Sequence, residues 1–274
     1  MSLEPQAAGA GSRSPLPAAS RPMLLEARSL TKRFGGVIAV NAVDLAIAPA
    51  QAFGLIGPNG AGKTTLINLV SGLMRPDGGA ITFAGADTTH LAPHELTRRG
   101  IARTFQAIRL FKGLTALENV LVGRHVRMRS DVLDRMIPLR RADATHDEAA
   151  LALLERLGLR RRADALAGEL AYGDQRRLEI ARALASQPRL LVLDEPAAGM
   201  NPTESAALRE LLRELVAEDG LAIVLIEHDV RLVMGTCERV AVLNFGRKIA
   251  EGTPAEVQAD PVVHEAYLGA PDDA

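Results

Sequence analysis

The chain has one cysteine in 274 residues, Cys237. That excludes an internal disulfide framework and fits a reducing compartment, and a lone thiol in an apolar segment reads as a small core residue. Excess charge of either sign is also missing: 32 Lys and Arg against 33 Asp and Glu leave a formal net charge of -1 and a pI of 6.6. No global positive field draws the whole surface to nucleic acid or to an anionic membrane, so any basic patch is local. Long apolar runs are missing too. Crossing a bilayer takes about 20 apolar residues, whereas LAIVLI at 221–226 runs straight into Glu227, His228 and Asp229. Residues 1–22 are rich in Ala, Gly, Ser and Pro, lack the continuous apolar segment of a secretory signal, and read as a disordered tail. No internal repeat is visible.

The chain does have 47% hydrophobic residues, enough for a sizeable core. They fall in short unbroken runs. AFGLIG, LLVL and AIVLI are each followed at once by polar residues: PNGAGKTT, DEP and EHD. Unbroken rather than alternating hydrophobicity predicts strands covered on both faces, as in a parallel sheet flanked by helices, where ligands bind beyond the carboxyl ends of the strands. The three polar clusters are then expected along one edge. LLEARSLTKRF with AVDLAIAPA, and RVAVLN with RKIAEG around Phe245 and Gly246, lie closer together and predict antiparallel pairs. TALE at 115–118 and THDE at 145–148 both have capping-box spacing, which predicts helix starts. After the second, Ala150, Leu153, Leu154 and Leu157 form a helical stripe that Gly158 is placed to stop. Residues from about 107 to 187 thus read as a helical subdomain inserted into an α/β core.

GPNGAGKT at 57–64 satisfies the GxxxxGK[ST] pattern between an expected strand and the helix-forming TLINLVSGL. Its glycines let backbone N–H groups wrap a nucleotide's phosphates, Lys63 reaches the outer phosphates, and the Thr64 hydroxyl suits Mg²⁺. The loop alone does not name a reaction, because kinases, GTPases and motor ATPases share it. LLVLDEP at 190–196 ends its strand on two adjacent acids. Alternation turns Asp194 and Glu195 in different directions, so one can hold Mg²⁺ through water while its neighbour faces an attacking water; Glu195 is the candidate general base. His228, in LIEHD, belongs to the same predicted edge, where a neutral imidazole can contact a γ-phosphate and orient the base. Gln106, in ARTFQ, can ligate Mg²⁺ or water through its amide oxygen where the core passes into the helical insert.

LAYGDQRRLEIARAL at 170–184 poses a separate question, because a chain with a phosphate loop here shows a second glycine-bearing helix start. Gly173 permits close backbone approach, and a helix from about Asp174 offers free N–H groups and a positive dipole end to an anion. Leu178, Ala181 and Ala185 form its apolar stripe, while Arg176, Glu179 and Arg182 recur on another side and read as a solvated face.

GPNGAGKTT, Gln106, LAYGDQRR, LLVLDEP and His228, in this order and spacing, resemble the Walker A, Q-loop, signature, Walker B and switch-histidine elements of an ABC-transporter ATPase subunit, over about residues 23 to 269. The resemblance implies an α/β fold: a P-loop NTPase (RecA-like) core with a mostly parallel sheet, an antiparallel β subdomain and the inserted α-helical subdomain, all one ATPase domain over 23–270. It implies ATP and Mg²⁺ as ligands. Gly57, Pro58, Asn59, Gly60, Ala61, Gly62, Lys63, Thr64 and Thr65 would surround the nucleotide's phosphates, with Val40 also in the ATP site. Phe34, in KRFGG, would stack on adenine, which a flat aromatic is suited to do. Thr64, Gln106 and Asp194 would face the metal, and Glu195, His228, Gln106 and Lys63 would carry the chemistry.

In that family two such domains pair head to tail, so that the signature of one, here Ala171, Tyr172, Gly173 and Asp174, closes on ATP held by the other. The second helix start is then expected to serve another subunit's nucleotide. Gly199, Met200 and Asn201 fall where the family has its D-loop, crossing the dimer seam. Three departures stand out: Ala171 replaces the usual serine, Asp174 the usual glutamine and Asn201 the usual aspartate, all of which bear on the strength of closure.

LAYG followed by QRRLEIARAL, DEPAAGMNP, IEHDVRLVMG and the terminal EAYLG are similar to the ATP-binding subunits of branched-chain amino acid importers. That likeness implies a second ABC ATPase subunit, identical or a related paralogue, two membrane permease subunits and, indirectly, a substrate-binding protein, at the cytoplasmic face of the cell membrane. Relatives that handle urea, amides or other amino acids look much alike. LFKGL at 110–114 is an expected part of the groove that grips a permease helix. A soluble ABC protein of DNA repair or ribosomes tends to carry tandem ATPase units or a long coiled-coil insertion, and neither is present. Arg98 with Arg99, Arg140 with Arg141, and Arg160 to Arg162 have acidic neighbours and read as solvated faces, so no nucleic-acid partner is expected. A phosphotransferase would need an acceptor pocket, and none is evident.

Overall fold

The computed structural model describes residues 22–125 and 140–268. The tail expected over 1–22 lies, apart from Pro22, outside them, as does Gly269 of EAYLG. Along the described chain run the strands β1 (Leu25–Phe34), β2 (Val37–Ile47), β3 (Ala52–Ile56), β4 (Gly78–Phe83), β5 (Ala86–Asp87), β6 (Ile101–Arg103), β7 (Leu190–Asp194), β8 (Ala222–Ile226), β9 (Arg239–Asn244) and β10 (Arg247–Gly252). The helices are α1 (Lys63–Val70), α2 (Pro93–Arg99), α3 (Ala116–Arg124), α4 (Arg140–Arg156), α5 (Tyr172–Ala185), α6 (Pro202–Asp219), α7 (Val230–Thr236), α8 (Pro254–Ala259) and α9 (Pro261–Leu268).

The strands form two sheets. A four-stranded antiparallel sheet has the order β2-β1-β4-β5, and a six-stranded sheet has the order β10-β9-β3-β8-β7-β6. In the larger sheet all pairings are parallel except β9 with β10. The unbroken runs AFGLI, LLVL and AIVLI become its centre, where every residue of β3, β7 and β8 is buried. Successive side chains go to opposite faces, as the pleat requires. Leu191, Leu193, Ile223 and Leu225 join one apolar cluster with α4, α5 and α6, while Leu190, Val192, Ala222 and Val224 join another with α1 and the antiparallel sheet. Covering both faces in this way is worth about 1.5–3 kcal/mol for each large side chain taken fully out of water.

Helix α3 begins as TALE predicts: Thr115 Oγ1 accepts from the Glu118 amide at 3.1 Å and the Glu118 carboxylate accepts from the Thr115 amide at 2.7 Å. THDE does not start a helix. α4 already runs from Arg140, so Thr145 is interior and its turn's amides are taken up by the helix ladder. Gly158, with φ 72°, does stop that helix, and Ala150, Leu154 and Leu157 are buried as the stripe predicts. Cys237 is a core residue whose thiol burial pushes up to about 12.

Candidate functional site

Parallel pairing puts the carboxyl ends of β3, β6, β7 and β8 on one edge, and the chain leaves each of them on a polar segment. After β3 the phosphate loop turns through Gly57 and Gly62, with φ of 147° and 101°. A side chain at either would collide with a backbone carbonyl, of Leu243 or of Ala39, so the loop is held close against its neighbours. No side chain caps α1, which leaves its first-turn amides for an anion. Lys63 Nζ curls over this loop, donating to the carbonyls of Gly57 at 2.7 Å and Pro58 at 3.0 Å. Burial pulls the Lys63 pKa down, while the nearby carboxylates of Glu195 and Asp194 push it up. Loop, lysine and the two acids are therefore in one electrostatic neighbourhood.

Glu195 follows β7 with φ 51°, in the left-handed region, and its amide donates to the Ile226 carbonyl of β8 at 2.9 Å. A non-glycine residue there costs on the order of 1–3 kcal/mol and persists only where its surroundings over-determine it. Here they do: Gln106 Nε2 donates to Glu195 Oε2 at 2.9 Å and His228 Nε2 stands 3.0 Å from Oε1. Three sequence candidates from three different strand ends thus meet on one carboxylate. Gln106 spends its amide nitrogen on Glu195, leaving its amide oxygen for another partner.

Asp194 differs from its neighbour. It is buried, and its Oδ2 accepts from Arg103 Nη2 at 2.8 Å, while Arg103 Nη1 donates to Asn68 Oδ1 at 2.6 Å and Ser71 Oγ at 2.9 Å. Arg103 was not a sequence candidate; only its place three residues before Gln106 could have drawn notice. Glu227 was overlooked as well. Its buried carboxylate accepts from the Ala197 amide at 2.7 Å and the His228 amide at 3.2 Å, tying the His228 turn to the segment after Glu195, and burial pushes its pKa up. A third unexpected neighbour comes from the far end of the chain, where Tyr267 of α9 lies beside Gly57 of the phosphate loop.

Phe34 stands at the end of β1 with 47% exposure, Lys32 Nζ 5.8 Å from its ring centre; it is a surface aromatic and no core residue. Val40 is different. Its side chain is wholly buried in the apolar layer between the sheets, so it has no surface to offer a nucleotide, and the expectation placing it in the ATP site is corrected.

At the second helix start, α5 begins at Tyr172 on an Ala171 N-cap that has no side-chain bond, so the helix starts two residues earlier than expected. Tyr172, Gly173 and Asp174 form its first turn. Ala171 and Tyr172 are exposed, whereas Gly173 is buried: a Cβ on it would come 2.9 Å from Glu204 Oε1. The cavity of about 320 Å³ beside Gly173 is lined by residues of α4, α5 and α6, including Arg156, Arg177 and Glu204, and by Met200 before α6, and by no residue of the phosphate loop. Asp174 turns its carboxylate to Arg177. Asn201 caps α6, accepting from the Glu204 amide at 2.9 Å, a bond that asparagine makes as well as aspartate does. Thr64, Gln106 and Glu195 thus sit at the sheet edge, and the Tyr172 hydroxyl shares Arg176 Nη2 with the Gln106 carbonyl.

Arg176 and Glu179 are nearly wholly buried, at 3% and 2% exposure, which overturns the solvated face expected for them. Equal spacing with opposite charges looks like a surface ladder, but the loop carrying Gln106 covers it. LFKGL lies beside the same loop. Phe111 is half exposed, its amide bonded to the buried Asn119 Oδ1 at 3.0 Å, at a cleft of about 380 Å³ that Phe105, Arg109, Val122 and Arg182 also line.

Comparison with known proteins agrees with this arrangement. The family model for ABC transporters matches residues 40–198, and that for the branched-chain amino acid ATP-binding cassette transporter matches residues 247–273. The chain is 45% identical over 253 residues to the high-affinity branched-chain amino acid transport ATP-binding protein BraF of Pseudomonas aeruginosa, covering 91% of this chain and 99% of that relative. The crystal structure of the ADP conformation of MJ1267, an ATP-binding cassette of an ABC transporter, superposes with a TM-score of 0.79 at 34% identity, covering 91% of this chain and 100% of the other. The dimeric structure of MJ0796, a bacterial ABC transporter cassette, superposes with a TM-score of 0.73 at 29% identity, covering 84% and 98%.

Proposed function

The chain belongs to the ABC transporter family and is an ATP hydrolase of that kind, and from that premise we propose how its residues divide the work and what they drive. The first-turn amides of α1, with Lys63, hold the β- and γ-phosphates. Thr64 Oγ1 and Gln106 Oε1, with the second oxygen of Asp194 through water, would hold a hard, oxygen-seeking cation such as Mg²⁺, which would supply neutralisation of charge on the phosphate oxygens. Glu195 takes the proton of the water that attacks the γ-phosphorus in line as ADP leaves. His228 and Gln106 keep that carboxylate aimed, and Glu227 and Arg103 keep His228 and Asp194 in place. Phe34 covers the adenine.

The observation that carries this reading is the Glu195 carboxylate held at 2.9 Å by Gln106 and 3.0 Å by His228, in the same electrostatic neighbourhood as Lys63. Replacing Glu195 with Gln is expected to leave ATP binding intact and to cut turnover by about 10²- to 10⁴-fold, the usual worth of a general base. Ordinary turnover in that variant would remove the assignment.

Two such subunits, identical or related, would close head to tail on ATP, each presenting Ala171–Asp174 to the other's phosphate loop, with Gly199, Met200 and Asn201 at the seam. The exposure of Ala171 and Tyr172 and the uncapped start of α5 support this, as does the dimeric relative. The cleft at Phe111 suits an apolar helix of a membrane permease, two of which, with a substrate-binding protein, would complete an importer at the cytoplasmic face of the membrane. Among the described residues no helix is long and apolar enough to cross a membrane. Branched-chain amino acids are the proposed cargo, on the strength of the carboxyl-terminal family match and of BraF. A reconstituted complex whose ATP turnover rises with a leucine-loaded binding protein supports that cargo, and one stimulated by a urea- or amide-loaded protein instead would replace it.

A further inference from the structure

Phe34 is the last residue of β1, yet the pairing of that strand with β4 ends at Thr31, opposite Gly78. Beyond it the hairpin with β2 projects from the sheet: Lys32, Arg33 and Phe34 face Val40, Ile38 and Val37, and the register slips on either side of Lys32. A two-stranded ribbon is marginally stable by itself, so the place of its end depends on what else holds it.

Asp77, between α1 and β4, supplies the contacts that a third strand would. Its amide donates to the Thr31 carbonyl at 2.9 Å, and its Oδ2 accepts from the Arg33 amide at 2.7 Å. Its Oδ1 accepts from Lys32 Nζ at 2.9 Å, and the same ammonium donates to the Arg75 carbonyl at 2.9 Å and stands 5.8 Å from the Phe34 ring centre, within cation–π reach. The bond from Lys32 and that from the Arg33 amide hold the Asp77 carboxyl below the ordinary aspartate value. With its carboxylate 41% exposed the ion pair adds little to stability, so its consequence is geometric. The segment that ends at Asp77 is folded back on α1, the Met74 amide donating to the Asn68 carbonyl at 3.0 Å. The first turn of that helix carries Lys63 and Thr64. A nucleotide's base and phosphates are a bonded distance apart, and here one short segment joins the two surfaces that would receive them.

We propose that Asp77, with Lys32, is a positioning residue for the base: it anchors the projecting end of β1 to the segment after α1 and so sets the place of Phe34 relative to the phosphate loop. This rests on the proposed stacking of Phe34 on adenine. Asp77 is given no contact with the nucleotide; it acts through Lys32 and Arg33.

The chain has no tryptophan, so Phe34→Trp puts a single fluorophore at the site. In the full chain carrying Phe34→Trp and Glu195→Gln, the indole is expected to show high anisotropy before nucleotide is added and to be quenched by Mg-ATP. Adding Asp77→Ala should lower that anisotropy and weaken Mg-ATP binding by about 3- to 10-fold, the usual net worth of a hydrogen bond. In the chain with native Phe34 and Glu195, Asp77→Ala should raise KM for ATP by a similar factor and leave turnover at saturating ATP unchanged. In a Phe34→Ala background it should weaken ATP no further, because the two act as one unit. A merely structural role would lower the melting temperature and weaken ATP equally with and without Phe34. Unchanged anisotropy in a folded Asp77→Ala chain overturns the proposal, as does a loss of affinity that adds to that of Phe34→Ala. Should Asp77→Ala fail to fold, unchanged anisotropy in both Asp77→Asn and Lys32→Met has the same force. An indole that Mg-ATP does not quench, with native ATP affinity in Phe34→Ala, overturns the adenine reading instead, and the comparison made without nucleotide still decides whether Asp77 holds the ring.

Discussion

Two buried ion pairs hold the two working ends of this molecule, and they are built differently. At the sheet edge Arg103 and Asp194 meet at 2.8 Å between adjacent strands, and the remaining reach of the guanidinium goes to the side chains of Asn68 and Ser71 on α1. On α5, Arg176 and Glu179 stand 3.5 Å apart within one helix, and their stronger bonds go to the backbone of a loop about seventy residues away in sequence. The first pair is a strut fixed by strand register. The second is a grip, and its partner is the loop that carries Gln106. Similar charges at similar burial therefore tie a strand pair to a helix in one place and a helix to a loop in the other, according to what the spare hydrogen-bonding groups hold.

The catalytic loss expected for Glu195→Gln is the largest effect at the sheet edge. Next, Arg103→Ala should sharpen the contrast by stranding Asp194 as a buried unpaired carboxylate, at a cost of about 3–5 kcal/mol in urea unfolding. A loss comparable to that of an exposed pair would break the description of a strut. On the other side, Asn201→Ala removes the oxygen that caps α6 beside Gly173 and should cost about 1 kcal/mol, while Asn201→Asp restores it. Equal melting temperatures for all three chains would contradict that cap.

The smallest effect concerns pH. Burial raises the Glu179 pKa above the ordinary glutamate value of 4.5, so the folded chain holds this proton more tightly than the unfolded one. Its stabilising contribution is fully present below 4.5 and is lost as pH rises through the folded value. Glu179→Gln should therefore flatten the loss of stability with rising pH just above 4.5, as read by melting curves across that window. An unchanged slope would mean that the carboxylate is better solvated than its 2% exposure implies.

The sheet edge was legible because its chemistry is local to strand ends: GPNGAGKT, DEP and EHD each follow an apolar run, and parallel pairing does the rest. The antiparallel pairs and the Thr115 cap were legible for the same reason. Arg176 and Glu179 were not, because a helix face shows its spacing in sequence but not what lies on it. THDE misled in a related way, since a capping box only caps if the helix has not already begun. Val40 shows the limit of resemblance, which assigned a position to the nucleotide where the fold buries the side chain. Asn201 reads as a departure from a pattern and proves to be an ordinary cap.

Paired cysteines test most directly whether each nucleotide is enclosed by two chains. Asn59→Cys and Ala171→Cys put thiols on two exposed positions, one on the phosphate loop and one at the start of α5, while native Cys237 is buried, with its thiol pushed up to about 12, and stays silent. In a Glu195→Gln background joined to its permeases, Mg-ATP is expected to produce a cross-link between the two subunits that ADP does not. Absence of that cross-link with ATP, or the same yield without nucleotide, would contradict the account.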